Sequence, residues 1–286
     1  MVFDPMRQTI PKRIIQMGNT AEQPLRNRAM MATVKRLNPD FEYLFFDEEK
    51  RQAFIDREFP GYRQTFDSFM FPIQRYDFFK YLAIYRYGGF YFDLDILMAS
   101  GLSDLLESNC VFPFERITLN TYLRKYYGMD WEIGNYAFGA APENPFIKAI
   151  IDNCVRAQKE PSWVKPMMRG VPLLSRPDFL VFTTTGPGLV SRTLAENPEL
   201  AKAVNILFPD DVSDMRGWFR FGDFGIHMMD GTWRPRKSFW RRHLAPEWEG
   251  KLTQWALTRS AKLGKTRHRV STNQNGANGC SVSKDE

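Results

Sequence analysis

Residues 81–98 read YLAIYRYGGFYFDLDILM. An aromatic-rich run of helical character ends at Gly88-Gly89. A short apolar run of strand character, Phe90-Tyr91-Phe92, follows and terminates in Asp93-Leu94-Asp95 before apolar sequence resumes at Ile96-Leu97-Met98. Side chains on a strand alternate faces, so Asp93 and Asp95 are expected to point the same way. Two carboxylates side by side at the end of a buried strand repel each other and lose water, which is costly unless something positive sits between them. A hard divalent cation, its shell completed by a nucleotide diphosphate, answers that requirement. Acid triplets also end ordinary strands or cap the next helix. The glycine pair, the three aromatics and the lack of any basic residue from Gly88 to Asp95 favour the metal site.

Upstream, Pro72 to Tyr87 reads as a helix, with proline at its start and Gly88 at its end. Ile73, Tyr76, Phe79, Leu82 and Ala83 give it an apolar face, interrupted by Arg75, Asp77 and Lys80. Asp77 and Lys80 are three apart and share a side of the helix, either as a surface ion pair or as a pair beside the metal site. Earlier still, Ile10 to Gln16 reads as a strand, Arg26 to Leu37 as a helix stopped by Asn38-Pro39, and Phe41 to Phe46 as a second strand. Asp47 then caps a helix through Glu58. This alternation predicts an α/β domain with a largely parallel sheet.

Downstream, strands are expected at Gly134 to Phe138, Phe179 to Phe182 and Val204 to Phe208, and a helix at Pro145 to Arg156. The Thr183–Gly188 run, TTTGPG, reads as a strand-to-helix turn that could offer backbone N–H groups to a phosphate. His227 is one of only three histidines and lies just before Gly231-Thr232-Trp233. An imidazole there suits a divalent cation or the diphosphate it carries. Glu247 to Leu263 reads as a closing helix or, with its tryptophans and lysines, as a membrane-contacting one. From Thr266 onward the chain is polar and reads as a disordered tail, so the domain is placed at 1–265 and the tail at 266–286.

Composition narrows the class. Hydrophobic residues at 43% supply a sizeable core, and 286 residues suit one large domain or two small ones. Cys110, Cys154 and Cys280 show no paired spacing, which argues against a disulfide framework or a structural zinc. The N-terminus lacks a signal peptide's apolar core, and no run of about 18 apolar residues spans a membrane. A cytoplasmic protein is expected. The net charge of +6 is uneven, because residues 234–270 hold eleven Lys or Arg against two Glu. The rest of the chain is net acidic, so no nucleic-acid partner is expected, while 234–270 is a candidate for peripheral contact with the membrane's inner face.

Arg75 to Tyr85 (RYDFFKYLAIY) and Tyr87 to Asp95 (YGGFYFDLD) resemble the sugar-binding region of glycosyltransferase family 32, as do the opening Ile10-Pro11-Lys12 and the closing His227-x-x-x-Gly231-Thr232-Trp233. The resemblance implies a GT-A fold, a single Rossmann-like α/β domain. It also implies a UDP- or GDP-sugar donor bound through Mn2+ or Mg2+, a glycan or lipid-linked acceptor, and transfer with retention at the anomeric carbon. Asp93 and Asp95 match the metal and diphosphate motif, with His227 as a further ligand. Asp77 matches the position that holds donor-sugar hydroxyls. Lys80, Arg75, Gly89, Tyr91, Gln16, His227, Thr232 and Trp233 fall at donor-binding positions. Lys80 stands where the family usually has arginine and cannot make its bidentate fork. Ile15 and Gly18 replace a usual His and Trp of the first strand. The expected activity is a metal-dependent retaining glycosyltransferase. An aspartyl-nucleophile phosphatase, with Asp210-Asp211 as its late acidic pair, and a non-catalytic basic membrane adaptor are the rivals.

Overall fold

The computed structural model describes residues 9–229. They lie within one compact unit, Met1–Arg234. The expected helix at 247–263, the basic segment 234–270, Thr232, Trp233, Cys280 and the boundary at 265 fall outside the described residues.

Ten strands are described: β1 Arg13–Met17, β2 Glu42–Phe46, β3 Gly89–Phe92, β4 Ile96–Met98, β5 Cys110–Ile117, β6 Trp131–Ile133, β7 Ala137–Ala140, β8 Val204–Leu207, β9 Arg220–Phe221 and β10 Gly225–His227. Seven form a central sheet in the order β2-β1-β3-β7-β5-β6, with β8 also paired to β5. The pairings β1–β2, β1–β3 and β5–β8 are parallel; β7 runs antiparallel between β3 and β5, and β6 antiparallel to β5. Five of the seven strands therefore point one way, as the alternation of strand and helix predicts.

Strand alternation splits the core into two layers. Ile15, Tyr91 and Phe138 pack on one face with Phe78, Phe79 and Leu82 of the helix Pro72–Tyr87 and with Ile147 and Ile151 of the helix Pro145–Lys159. Ile14, Phe90, Phe92 and Ala137 pack on the other with Val34 of the helix Leu25–Leu37. With both faces covered, β3 and β7 are buried at every residue. The helix Pro72–Tyr87 begins and ends where the sequence places it, but its second half is buried all round, from Asp77 to Ile84. Gly88 and Gly89 have φ of 63° and 101°. A Cβ on Gly89 would lie 2.5 Å from the Arg13 carbonyl, so this glycine lets β3 close on β1.

Two expected strands are corrected. Phe179 to Phe182 lies inside the helix Arg176–Thr184, followed by a second helix, Pro187–Glu196. A short apolar run reads equally as buried helix or strand. The threonine hydroxyls settle it by bonding within the helix, Thr183 to the Phe179 carbonyl (2.7 Å) and Thr184 to that of Leu180 (2.6 Å). The TTTGPG run is thus a helix-to-helix corner. Its Thr185 and Gly186 N–H groups bond the Val181 carbonyl, and a Cβ on Gly188 would meet the Phe182 ring at 2.3 Å. The strand expected at Gly134 to Phe138 is likewise broken: β6 stops at Ile133 and β7 starts at Ala137. Cys110 and Cys154 are buried free thiols. Among the described residues no helix is long and apolar enough to cross a membrane.

Candidate active site

From β1 the chain goes to β2 on one side, then returns to β3 on the other. Ligands of open α/β sheets bind beyond the carboxyl ends of strands at such a reversal. The carboxyl ends of β1 and β3 are Gln16-Met17 and Phe92, and Asp93 follows directly. Gln16 Nε2 donates to the Phe92 and Asp93 carbonyls (3.4 and 3.3 Å), while Tyr43 Oη donates to Gln16 Oε1 (2.8 Å). Gln16 is fully buried. The structure places its amide against the backbone that carries Asp93 and against Tyr43.

Asp93 and Asp95 do converge, though through a turn rather than through strand pleat. The Ile96 N–H bonds the Asp93 carbonyl at 3.3 Å, closing a four-residue turn, and the Met228 N–H bonds the Asp95 carbonyl at 2.9 Å. β4 then pairs with β10 in a three-stranded sheet with β9, with Ile96 opposite His227. That register sets His227 Nε2 3.3 Å from Asp95 Oδ2. Asp93, Asp95 and His227 each offer one ligand atom within 4.8 Å of the others. The ligand atoms around one octahedral cation lie roughly 3–4 Å apart, so a small inward shift of this oxygen, oxygen, nitrogen set would seat a divalent ion. His227 Nδ1 is buried without a partner, and the ring stacks on Tyr136 at 4.4 Å.

The charges agree with that fit. Loss of water raises the Asp93 carboxyl above the usual range; Lys80 opposes the rise and Asp95 adds to it. Burial alone would depress His227, but its bond to Asp95 carries it upward. Tyr91, fully buried, donates its hydroxyl to Asp93 Oδ1 at 2.7 Å. It thus holds Asp93 from behind, and Gly89 serves the β1–β3 contact.

One helical turn deeper lies a second cluster. Asp77 and Lys80, both buried, pair at 2.7 Å, and Lys80 Nζ stands 4.0 Å from Asp93. The surface-pair reading is thereby excluded. Burial would lower Lys80, yet facing Asp77 and Asp93 it is held up and charged. Asp77 also accepts from Asn135 Nδ2 (3.1 Å) and Thr185 Oγ1 (3.0 Å), and Asn135 reaches Tyr81 Oη at 2.8 Å. The sequence reading missed Asn135, Thr185 and Tyr81. Asn135 stands in the gap between β6 and β7, and Thr185 at the corner taken for a phosphate turn. Arg75 is absent from this cluster: two residues from Asp77, it sits about 200° round the helix. Its guanidinium bonds the Phe69 carbonyl (3.3 Å). Asp211, half of the acidic pair a phosphatase would need, is spent on capping Ser213, accepting from its N–H (2.8 Å) and hydroxyl (2.6 Å).

A further buried acid, Glu115 on β5, also escaped the sequence reading. Burial, opposed by Arg116 and abetted by Glu132, pushes its carboxyl up to about 7.

A catalogued family described as "Glycosyltransferase sugar-binding region containing DXD motif" matches residues 24–112. That match runs through Asp93-Leu94-Asp95, an Asp-x-Asp triplet of the kind the description names. The likeness to family 32 stands with it. Inositol phosphoceramide mannosyltransferase 2 of Schizosaccharomyces pombe is 27% identical over 209 residues, 71% of this chain and 53% of that one. Mannosyl phosphorylinositol ceramide synthase SUR1 of Saccharomyces cerevisiae is 31% identical over 147 residues, 51% of this chain and 35% of that one. This chain thus spans about half or less of these relatives. Among solved structures, the PaToxG glycosyltransferase superimposes with a TM-score of 0.42 at 14% identity, over 68% of this chain and 74% of that one.

Proposed function

We propose that this protein is a metal-dependent, retaining glycosyltransferase of the GT-A type, moving a sugar from a nucleotide-sugar donor to a glycan or lipid-linked acceptor. The observation that carries the reading is the convergence of Asp93, Asp95 and His227 beside the buried Asp77–Lys80 pair, at the switch point of a sheet built on a DXD region. The relatives' names favour a mannosyl group and an inositol phosphoceramide acceptor, and GDP-mannose is the donor proposed to carry that group.

Asp93, Asp95 and His227 would hold Mn2+ or Mg2+. Once bound, that cation supplies Lewis-acid stabilisation of the departing diphosphate's charge, worth several kcal/mol in sites of this kind. Asp77, Lys80 and Asn135 bind and orient the donor sugar through its hydroxyls. Tyr91 and Gln16 fix Asp93 in place. In same-face transfer the leaving phosphate takes the acceptor's proton, so a strong general base is dispensable. Thr232 and Trp233 would close over the diphosphate. The basic segment 234–270 would bring the enzyme to an anionic membrane surface from the cytoplasmic side.

A panel of UDP- and GDP-sugars, scored by thermal shift with and without Mn2+ and then by nucleotide release, tests the reading. A donor-specific shift that requires the metal, and release abolished by Asp95→Ala, are expected. Metal-independent turnover, or an Asp95→Ala variant that keeps wild-type rates, would refute it.

A further inference from the structure

Glu115 combines three features that ordinary packing leaves unexplained. It is 8% exposed, and its Oε2 is buried with no hydrogen-bond partner. Buried acceptors are bonded in the great majority of cases, and a carboxylate left alone is the costliest exception. Second, β5 pairs Phe114 with Ile133 and Arg116 with Glu132, so Glu115 is the unmatched residue of a β-bulge. Bulges beside active sites re-aim a side chain. Third, Phe219 ties it to the metal-ligand strand. The Phe219 N–H bonds the Glu115 carbonyl (3.3 Å), and the Phe219 carbonyl accepts from the His227 N–H (3.0 Å). Phe219 holds a φ of 56°, a left-handed conformation costly for a bulky residue and characteristic of functional sites. The charge of Glu115 acts on both Lys80 and His227, so the carboxylate lies within electrostatic reach of both clusters.

Resting on the transferase reading, we propose that Glu115 orients the acceptor, its free carboxylate oxygen receiving a hydrogen bond from the incoming sugar or inositol hydroxyl. The donor side of the site already has its polar groups in Asp77 and in Lys80, Asn135 and Thr185, which bond it. Glu115 is joined through Phe219 to the strand of His227, on the diphosphate side. In a same-face substitution the acceptor oxygen arrives on that side. A carboxylate there lines up the hydroxyl oxygen, while the proton leaves with the phosphate.

The experiment measures mannose transfer from GDP-mannose to inositol phosphoceramide in mixed micelles, with Mn2+, for the wild type, Glu115→Gln and Glu115→Asp. Glu115→Gln removes an orphan charge and is expected to fold with an unchanged or higher Tm. Its acceptor KM should rise at least tenfold with donor KM within about twofold, and Glu115→Asp should recover part of the loss. Asn135→Ala, on the donor side, should show the opposite split. An acceptor KM unmoved by Glu115→Gln, or donor and acceptor KM rising together, would overturn the assignment. The two failures separate cleanly. A wild-type chain that binds no nucleotide sugar with Mn2+ removes the transferase reading and this role with it, whereas normal transfer by Glu115→Gln removes only the role of Glu115.

Discussion

Asp77 and Asp93 lie 2.7 and 4.0 Å from the same Lys80 ammonium, yet the two acid clusters are built in opposite ways. Asp77 is buried and saturated: an ammonium, an amide and a hydroxyl neutralise it from within the protein. Asp93 and Asp95 are half-buried at the rim and push against each other; Tyr91, His227 and, at 4.0 Å from Asp93, Lys80 are among their described neighbours. The first cluster is neutralised inside the protein, and the second stands at the rim, where a cation can reach it. A site that must hold a neutral sugar and a charged diphosphate needs both kinds of wall.

Removing Asp77 should therefore damage the fold as well as the chemistry. Asp77→Ala strands the Lys80 charge in the interior, and breaking a buried pair from one side costs about 3–5 kcal/mol. At about 2–4 °C per kcal/mol for a domain of this size, the Tm should fall by at least 6 °C. Asp77→Leu combined with Lys80→Met should regain most of that stability and none of the activity, since a well-packed apolar pair can replace a buried ion pair but cannot bind hydroxyls. Asp95→Ala should do the reverse. Turnover should drop by a factor on the order of 100 to 1000, the size of a lost electrostatic stabiliser, with Tm within about 3 °C of the wild type. If both variants lost stability equally, the contrast between a buried, saturated wall and one open at the rim would be broken.

That contrast was only partly legible in the sequence. The spacing of Asp77 and Lys80 and the pattern around Asp93-Leu94-Asp95 are local, and so are the proline and glycine that bound the intervening helix, so they could be read directly. His227 was legible through its scarcity and the Gly-Thr-Trp beyond it. Asn135 and Thr185 were not. They reach Asp77 from 58 and 108 residues away, and only the three-dimensional path of β7 and of the helix corner brings them there. The Phe179–Phe182 run failed for a different reason: four apolar residues carry no period, and what decided them was the i−4 bonding of two threonines. Glu115 had no signal, because a bulge is a register mismatch between two strands and neither sequence announces it. Gln16 was visible as a polar residue of the first strand, but its bonds to the Phe92 and Asp93 carbonyls were not, since a buried amide and a ligand-binding amide look alike on paper.

Glu115 sharpens the comparison from the side of stability. Its carboxyl, normally near 4.5, is held up to about 7 by burial. Between those values the folded chain keeps a proton that the unfolded chain has lost. Stability therefore falls as pH rises through this window, by at most about 3 kcal/mol. Glu115→Gln should flatten that fall: its Tm should match the wild type near pH 4.5 and exceed it by several degrees at pH 8, followed by thermal melts without ligand. A wild-type melt indifferent to this substitution at both pH values would mean that the carboxyl has found a partner and is not strained.

The smallest expected effect separates scaffold from donor contact. Gln16→Leu keeps the volume but strips the bonds to the Phe92 and Asp93 carbonyls and from Tyr43, a loss of about 1–2 kcal/mol for the groups left unpaired. Supports one step behind a metal ligand typically change metal affinity by about 10–100-fold. Half-saturating Mn2+ in the nucleotide-release assay should therefore rise by at least about tenfold. The donor KM at saturating Mn2+ should stay near the wild-type value, because a loosened Asp93 weakens the grip on the cation and leaves Asp77, Lys80 and Asn135 in place around the sugar. If donor KM rose with Mn2+ saturated, Gln16 would be reaching the nucleotide sugar after all, and the rim would owe its geometry to the turn and Tyr91 alone.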